Sequence, residues 1–256
     1  MYHSITIDGI NTWDDLHLIP TSRPLVNPPS VSMNQVAIPG MDGFIDLTEI
    51  LSGRVNYGAR QGSWEFIAHP DWTDAEPWHY KYSRIMQLFH GKAVSQVILE
   101  NDPFFYYTGR VSVNQWRSGE SWSTVTLDYV LQPYKHELSS SSEQWKWDPF
   151  SFVNGIIRQY GSIDVNGTEE TPTQLTIRMG TEPIVPKFRL TTLSSESVTI
   201  TSDRTTETIV LDGIDEGDAP EPVYTWDDKF KLFEGDNVLS MVGVGTLYID
   251  FRGGWL

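Results

Sequence analysis

The stretch "IPTSRPLVNPPSVSMNQVAIPG", residues 19–40, carries five prolines. Each proline fixes φ and lacks an N–H, so neither a helix nor an interior strand can run through it. A solvent-exposed loop of this length is uncommon inside a compact domain. The stretch therefore reads as an extended arm, about residues 20–58, that lies along its own domain or a neighbouring subunit. It runs into "AIPGMDGFIDLTEILSG", residues 37–53, with two glycine turns, two aspartates and a glutamate around apolar residues. That segment is either a ligand cradle or a piece of shape.

Around the arm, short runs with strand periodicity follow one another. His3, Ile5 and Ile7 alternate with polar residues, and Asp8-Gly9 reads as a tight turn. Trp64, Phe66 and Ala68 alternate, as do Val125, Leu127, Tyr129 and Leu131. "VSQVILE" and "PFFYYTGRVSVNQW" are β-branched and aromatic. One helix interrupts them, in "DAEPWHYKYSRIMQLFHGK". There Trp78, Tyr82, Ile85 and Phe89 share a face, Asp74, Glu76 and Pro77 suit the start, and Gly91 suits the stop.

A serine-rich passage, "KHELSSSSEQWKWDP", has no periodicity and reads as a linker at 138–147 between a first domain, 1–137, and a second, 148–256. The second domain holds only strand patterns: "SFVNGII", "GSIDVNG", "QLTIRMG", "PKFRLTT", "SVTITSD", "ETIVLDG", "DNVLSMVG" and "GTLYIDFRGG". Short strands with Gly turns predict a β-sandwich, with "GVG" at 243–245 as a hairpin turn and Asn166-Gly167 as another. The fold class is mainly β.

Composition narrows the function. There is no cysteine, which removes disulfides, Cys-zinc sites and thiol nucleophiles. Net charge is −16, and both halves are acidic: 9 basic against 15 acidic residues up to Glu137, then 9 against 19. A protein that grips phosphate backbones needs a basic face, so sequence-specific nucleic-acid binding is not expected. The start has neither a basic segment nor an apolar core, so no signal peptide is read, and no apolar run is long enough to span a bilayer.

The chemical motifs are weak. His79 and His90 share a helix face at a spacing too long for one metal, and no H-x-x-x-H occurs. "DGIDEGD", from Asp212, fails the EF-hand pattern at Ile214 and Val223, which leaves a solvated acidic loop or a non-EF calcium loop. The neighbouring acids Asp14-Asp15, Glu169-Glu170 and Asp227-Asp228 point to opposite faces of any strand, so they make poor acid/base pairs. No nucleophile elbow, Walker loop or dinucleotide fingerprint appears. No catalytic residue, cofactor or metal ligand is expected, and the chain does not read as an enzyme. Tyr224 and Trp226 beside Asp227 and Asp228 are the one candidate sugar contact, although such aromatics more often pack locally.

In order, "IPGMDGFIDLTE", "EFIAHPDW", "IMQLFHGK", "ENDPFFYYTGRVSV" and "GDNVLSMVGVGTLYIDFRGGWL" together resemble the distal tail proteins of long-tailed, non-contractile phages and related prophages. The ordered series is spread over most of the chain. The resemblance implies a ring-forming N-terminal domain with one helix and an extended arm, and a galectin-like C-terminal sandwich. It implies a hexameric ring at the virion tail tip, assembled in the host cytoplasm. That ring would join the tail tube protein to the tail hub or tail-associated lysin and to receptor-binding proteins, with phage DNA passing through its lumen and no membrane partner. On this reading the arm and turn form the subunit interface, through Pro24, Val26, Pro28, Pro29, Ile38, Pro39, Ile45 and Leu47. Galectins hold sugar with a motif containing His, Asn and Arg, and this chain has no His after His136. The alternative is a module that binds host cell-wall polysaccharide.

Overall fold

The computed structural model describes residues 3–50, 52–68, 77–119, 122–143, 158, 160–192, 197–212, 214–215 and 224–256. "SFVNGII", the Asp74 and Glu76 helix start, and most of "DGIDEGD" lie outside the described residues. The chain divides into two compact units, Met1–Lys135 and His136–Leu256.

The strands of unit 1 are β1 (Ile5–Ile7), β2 (Ile10–Asn11), β3 (Leu18–Pro20), β4 (Gln35–Val36), β5 (Ile45–Asp46), β6 (Arg60–Ala68), β7 (Lys92–Leu99), β8 (Phe105–Arg117) and β9 (Ser123–Leu131). Its one described helix is α1 (Trp78–Phe89). Seven of the strands form an antiparallel sheet in the order β2-β1-β7-β8-β9-β6-β3. The β1–β2 hairpin closes on Asp8 and Gly9, both at positive φ as its tight turn requires. Alternation sets the faces: Trp64, Phe66, Val111, Val125, Leu127 and Leu131 are buried on one side. α1 lays Ile85 and Phe89 into this core, with Trp78 and Tyr82 at its margin, on the face expected from their spacing. Pro77 sits just before the first turn as the N-cap rather than inside it, and Gly91 follows the stop at φ 69°. Each large side chain fully withdrawn from water contributes about 1.5–3 kcal/mol.

At the junction β10 (Lys135–Glu137) leads into unit 2, which contains β11 (Ile163–Gly167), β12 (Thr173–Met179), β13 (Lys187–Thr192), β14 (Ser197–Ser202), β15 (Thr208–Asp212), β16 (Ile214–Asp215), β17 (Gly235–Asp250) and β18 (Gly254–Trp255). The residues expected to split into two strands around a "GVG" hairpin are one continuous strand, β17. Its first half pairs with β12 and β14, and its second half with β11 and β13, so one strand serves both layers of a β-sandwich. Gly243 makes the change of partner feasible. Its φ is 128°, and a Cβ there would lie 2.6 Å from the Ser197 carbonyl oxygen. Asn166-Gly167 ends β11 rather than forming a turn, which comes one residue later where Thr168 N–H donates to Thr171 O. The core between the layers includes Phe188, Ile200, Phe230, Leu232, Leu239, Met241, Leu247 and Ile249.

Residues 138–143, read from the sequence as linker, are stitched to the end of β17. Ser141 N–H donates to Phe251 O at 2.9 Å, its hydroxyl donates to Ile249 O at 2.8 Å, and Phe251 N–H donates back to the same hydroxyl at 2.9 Å. Beside them a buried ion pair closes the unit. Arg158 donates to both oxygens of Glu137, at 2.6 and 2.7 Å, and Trp255 Nε1–H donates to Glu137 Oε1 at 2.9 Å. The "GG" of "RGGWL" belongs to this arrangement. A Cβ at Gly253 would stand 2.3 Å from Glu137 Oε1, and one at Gly254 2.1 Å from Glu182 Oε2.

Candidate interface and ligand-facing residues

The proline-rich stretch is a two-legged arm with a fixed root and an exposed tip. At the root, Trp64 stacks on Tyr129 with ring centroids 4.2 Å apart, and Trp64 Nε1–H donates to Leu25 O at 2.9 Å. Asn27 N–H donates to the Tyr129 hydroxyl at 2.9 Å, and Arg60 Nη1 donates to Asn27 O at 3.0 Å. Arg60 also donates from Nε to Pro133 O at 2.7 Å. These bonds satisfy backbone groups that the prolines leave without ladder partners. Burial pushes the Tyr129 and Tyr107 hydroxyl pKa values above the ordinary 10.0, against the opposing pull of Arg60.

Beyond the root the legs pair with each other. Gly58 N–H donates to Ser30 O at 2.7 Å, Val31 bridges Tyr57, and Ser32 N–H donates to Asn56 O at 2.9 Å. Farther out, Leu47 N–H donates to Asn34 O at 2.8 Å, and β4 pairs with β5. The tip between them turns on Gly40 and Gly43, both at positive φ. Thr48 donates its N–H and hydroxyl to Asp46 Oδ1, which holds that carboxyl below its ordinary pKa. These bonds stay inside the loop, and among the described residues no three His, Asp or Glu side chains gather in a way that could hold a metal ion.

What the arm presents is apolar. Leu25 is 67% exposed, Phe44 55% and Ile50 70%, and Val31, Met33, Val36, Ile38, Met41 and Ile45 are also exposed. Among the residues expected at the interface, Pro28, Ile38, Pro39 and Ile45 are exposed, while Pro29 and Leu47 are half-buried. Pro24 is buried, and Val26 packs against the core of its own unit. These two anchor the root instead of facing outward. Leu25, Met33, Val36, Met41 and Phe44 are exposed as well, and the signal for them in the sequence was an apolar residue inside a stretch already marked as an arm.

The candidate sugar residues lie in unit 2. Thr225 exchanges backbone hydrogen bonds with Phe188 of β13 at 2.8 and 2.7 Å, which sets the Tyr224–Trp226 segment alongside that strand. Trp226 is 55% exposed, and the Lys187 ammonium lies 5.6 Å from its ring centroid. Asp227 Oδ1 accepts the Lys229 N–H at 2.9 Å, a local turn bond, and Asp228 is exposed. The structure therefore brings cations to the aromatics from β13, while the neighbouring Asp227 carboxylate is occupied in its own turn. No described helix is long and apolar enough to cross a membrane.

No family profile matches the sequence, and no curated protein matches it. Among solved structures, the chain is similar over 100% of both lengths to the SPP1 Dit (gp 19.1) protein, with a TM-score of 0.60 and 16% identity. That crystal structure is described as a paradigm of the hub adsorption apparatus in phages infecting Gram-positive bacteria. At this identity the likeness shows a shared fold, spanning both units.

Proposed function

We propose that this chain is a structural subunit of a phage tail tip that assembles with copies of itself into a hexameric ring. The observation that carries the reading is the arm: a ribbon with a rigid root and an exposed apolar tip, on a chain whose whole length shares the fold of a phage distal tail protein. So many exposed apolar side chains on one ribbon point to a surface that a partner covers. A second copy is the fitting occupant, because an arm reaching from one subunit to the next is a heterologous contact, and such contacts make a ring when their rotation closes. A permanent ring of this sort buries more than about 2,000 Å² per interface.

In this reading the ring stands between the tail tube and the tail hub, offers a platform to receptor-binding proteins, and lets DNA pass through its lumen. The subunit would be made in the host cytoplasm and carried at the virion tail tip. Its role is mechanical and involves no catalysis. Negative-stain images of the purified chain test it. Closed rings with sixfold symmetry are expected, and open filaments or single 29.1 kDa particles would contradict it.

A further inference from the structure

In unit 2, β13 alternates across the sheet. Phe188 and Leu190 are buried in the core, so Lys187 and Arg189 stand on the opposite, outward face. The pairing register sets their neighbours. On one side Arg189 lies opposite Tyr248 of β17, and Lys187 opposite Asp250. On the other side the Phe188–Thr225 bridge puts Tyr224 beside Arg189 and Trp226 beside Lys187. The Arg189 guanidinium sits 4.0 Å from the Tyr248 ring centroid.

These cations are unusual in so acidic a chain. Among the described residues, neither Lys187 nor Arg189 forms an ion pair. Arg189 Nε is buried with no hydrogen-bond partner, a donor left uncompensated. Asp250, the carboxylate across from Lys187, is taken by the hydroxyls of Ser140 and Ser142. The result is an outward face on which an arginine fork and an ammonium are held among three aromatic rings, with no ion pair to either cation among the described residues.

We propose that this face binds an anionic saccharide. The sugar ring stacks on the exposed Trp226, and its phosphate or carboxylate is taken by Arg189 and Lys187. Arginine's planar fork matches either oxyanion bidentately, and stacking on Tyr248 fixes its plane beforehand. The aromatics favour a ligand with a ring to stack over an acidic peptide. A long nucleic acid also stacks, but a net charge of −16 repels an extended phosphate backbone, whereas a short anionic sugar needs only the local pair of cations. The inference is independent of the arm and goes beyond a structural role for the ring.

Calorimetric titration of the full chain tests this, with five short probes: a glucose-bearing glycerol phosphate trimer, tri-galacturonate, maltotriose, tri-glutamate and a thymidylate pentamer. Binding to one or both of the first two, weakening as salt rises, is the expected result, and which of them binds separates phosphate from carboxylate recognition. Arg189→Gln keeps a planar group over Tyr248 but removes the charge, and weakens binding about tenfold or more. Trp226→Ala, at an exposed position that leaves the fold intact, abolishes the stacking contribution. Equal binding of neutral maltotriose, tighter binding of tri-glutamate or of thymidylate, unchanged binding in the Arg189 variant, or no binding at all would each overturn the proposal. Both variants keep the wild-type assembly mass, so a negative result here leaves the ring reading standing.

Discussion

The arm and the C-terminal sandwich treat apolar side chains in opposite ways. In the sandwich, Phe188, Phe230, Leu239, Met241 and Ile249 are withdrawn from water by one strand that serves both layers. In the arm, Val36, Met41, Phe44 and Ile45 hang on a ribbon held by its own backbone bonds and by Trp64, Tyr129 and Arg60 at its root. The first group stabilises the subunit that carries it. The second contributes almost nothing until another surface covers it. Apolar residues are therefore core in one region and exposed in the other, and what separates them is whether a second layer of the chain covers them. The legs of the arm pair only with each other, and the five prolines in residues 19–40 limit further strand pairing along one of them.

The contrast can be broken from the sandwich side first. Glu137→Ala leaves Arg158 charged and buried, so unit 2 should lose about 3–5 kcal/mol in denaturant unfolding. A loss below about 1 kcal/mol would show that the closing cluster is incidental. A smaller effect is expected at the arm root. Tyr129→Phe keeps the stack on Trp64 but removes the acceptor for Asn27 N–H, costing about 1 kcal/mol and opening residues 24–28 to protease. Unchanged cleavage would mean that the root is held elsewhere.

Alkali addresses the same root. Tyr107 and Tyr129 keep their protons in the folded state above the ordinary 10.0, because burial disfavours the phenolate. Their contribution to stability is fully present below pH 10.0 and is lost as pH rises through the raised folded values, since the unfolded chain ionises first. Melting curves of unit 1 should fall over that window, and the double variant Tyr107→Phe, Tyr129→Phe should flatten the fall. The smallest effect on folding belongs to the tip. Phe44→Ser should change subunit stability by no more than about 0.5 kcal/mol, because its side chain is exposed.

Much of this was legible in the sequence, for identifiable reasons. Trp78, Tyr82, Ile85 and Phe89 announced α1 because a helix face repeats locally, and the prolines announced the arm because each constrains its own φ. Legibility ended where geometry depends on distant chain. Gly243-Val244-Gly245 has the composition of a turn, yet pairing with four other strands keeps β17 continuous through it. Ser140, Ser141 and Ser142 have the composition of a linker, yet their hydroxyls find partners at Ile249 and Asp250 more than a hundred residues away. The face at Lys187 and Arg189 was hidden for the same reason. Two cations in "PKFRLTT" become a site only when the Thr225 bridge sets Trp226 and Tyr224 beside them. Pro24 and Val26 pack inward at the root, which the sequence could not show because proline content marks an arm without marking where its root ends.

The most direct test compares masses in solution, by light scattering after size exclusion, of the wild-type chain and a variant with Val36→Ser, Phe44→Ser and Ile45→Ser. A sixfold multiple of 29.1 kDa is expected for the wild type and a loss of that assembly in the variant, with both chains melting at the same temperature. A wild type that stays at 29.1 kDa at high concentration, or a variant that assembles as well as the wild type, would contradict the claim that the arm is an interface.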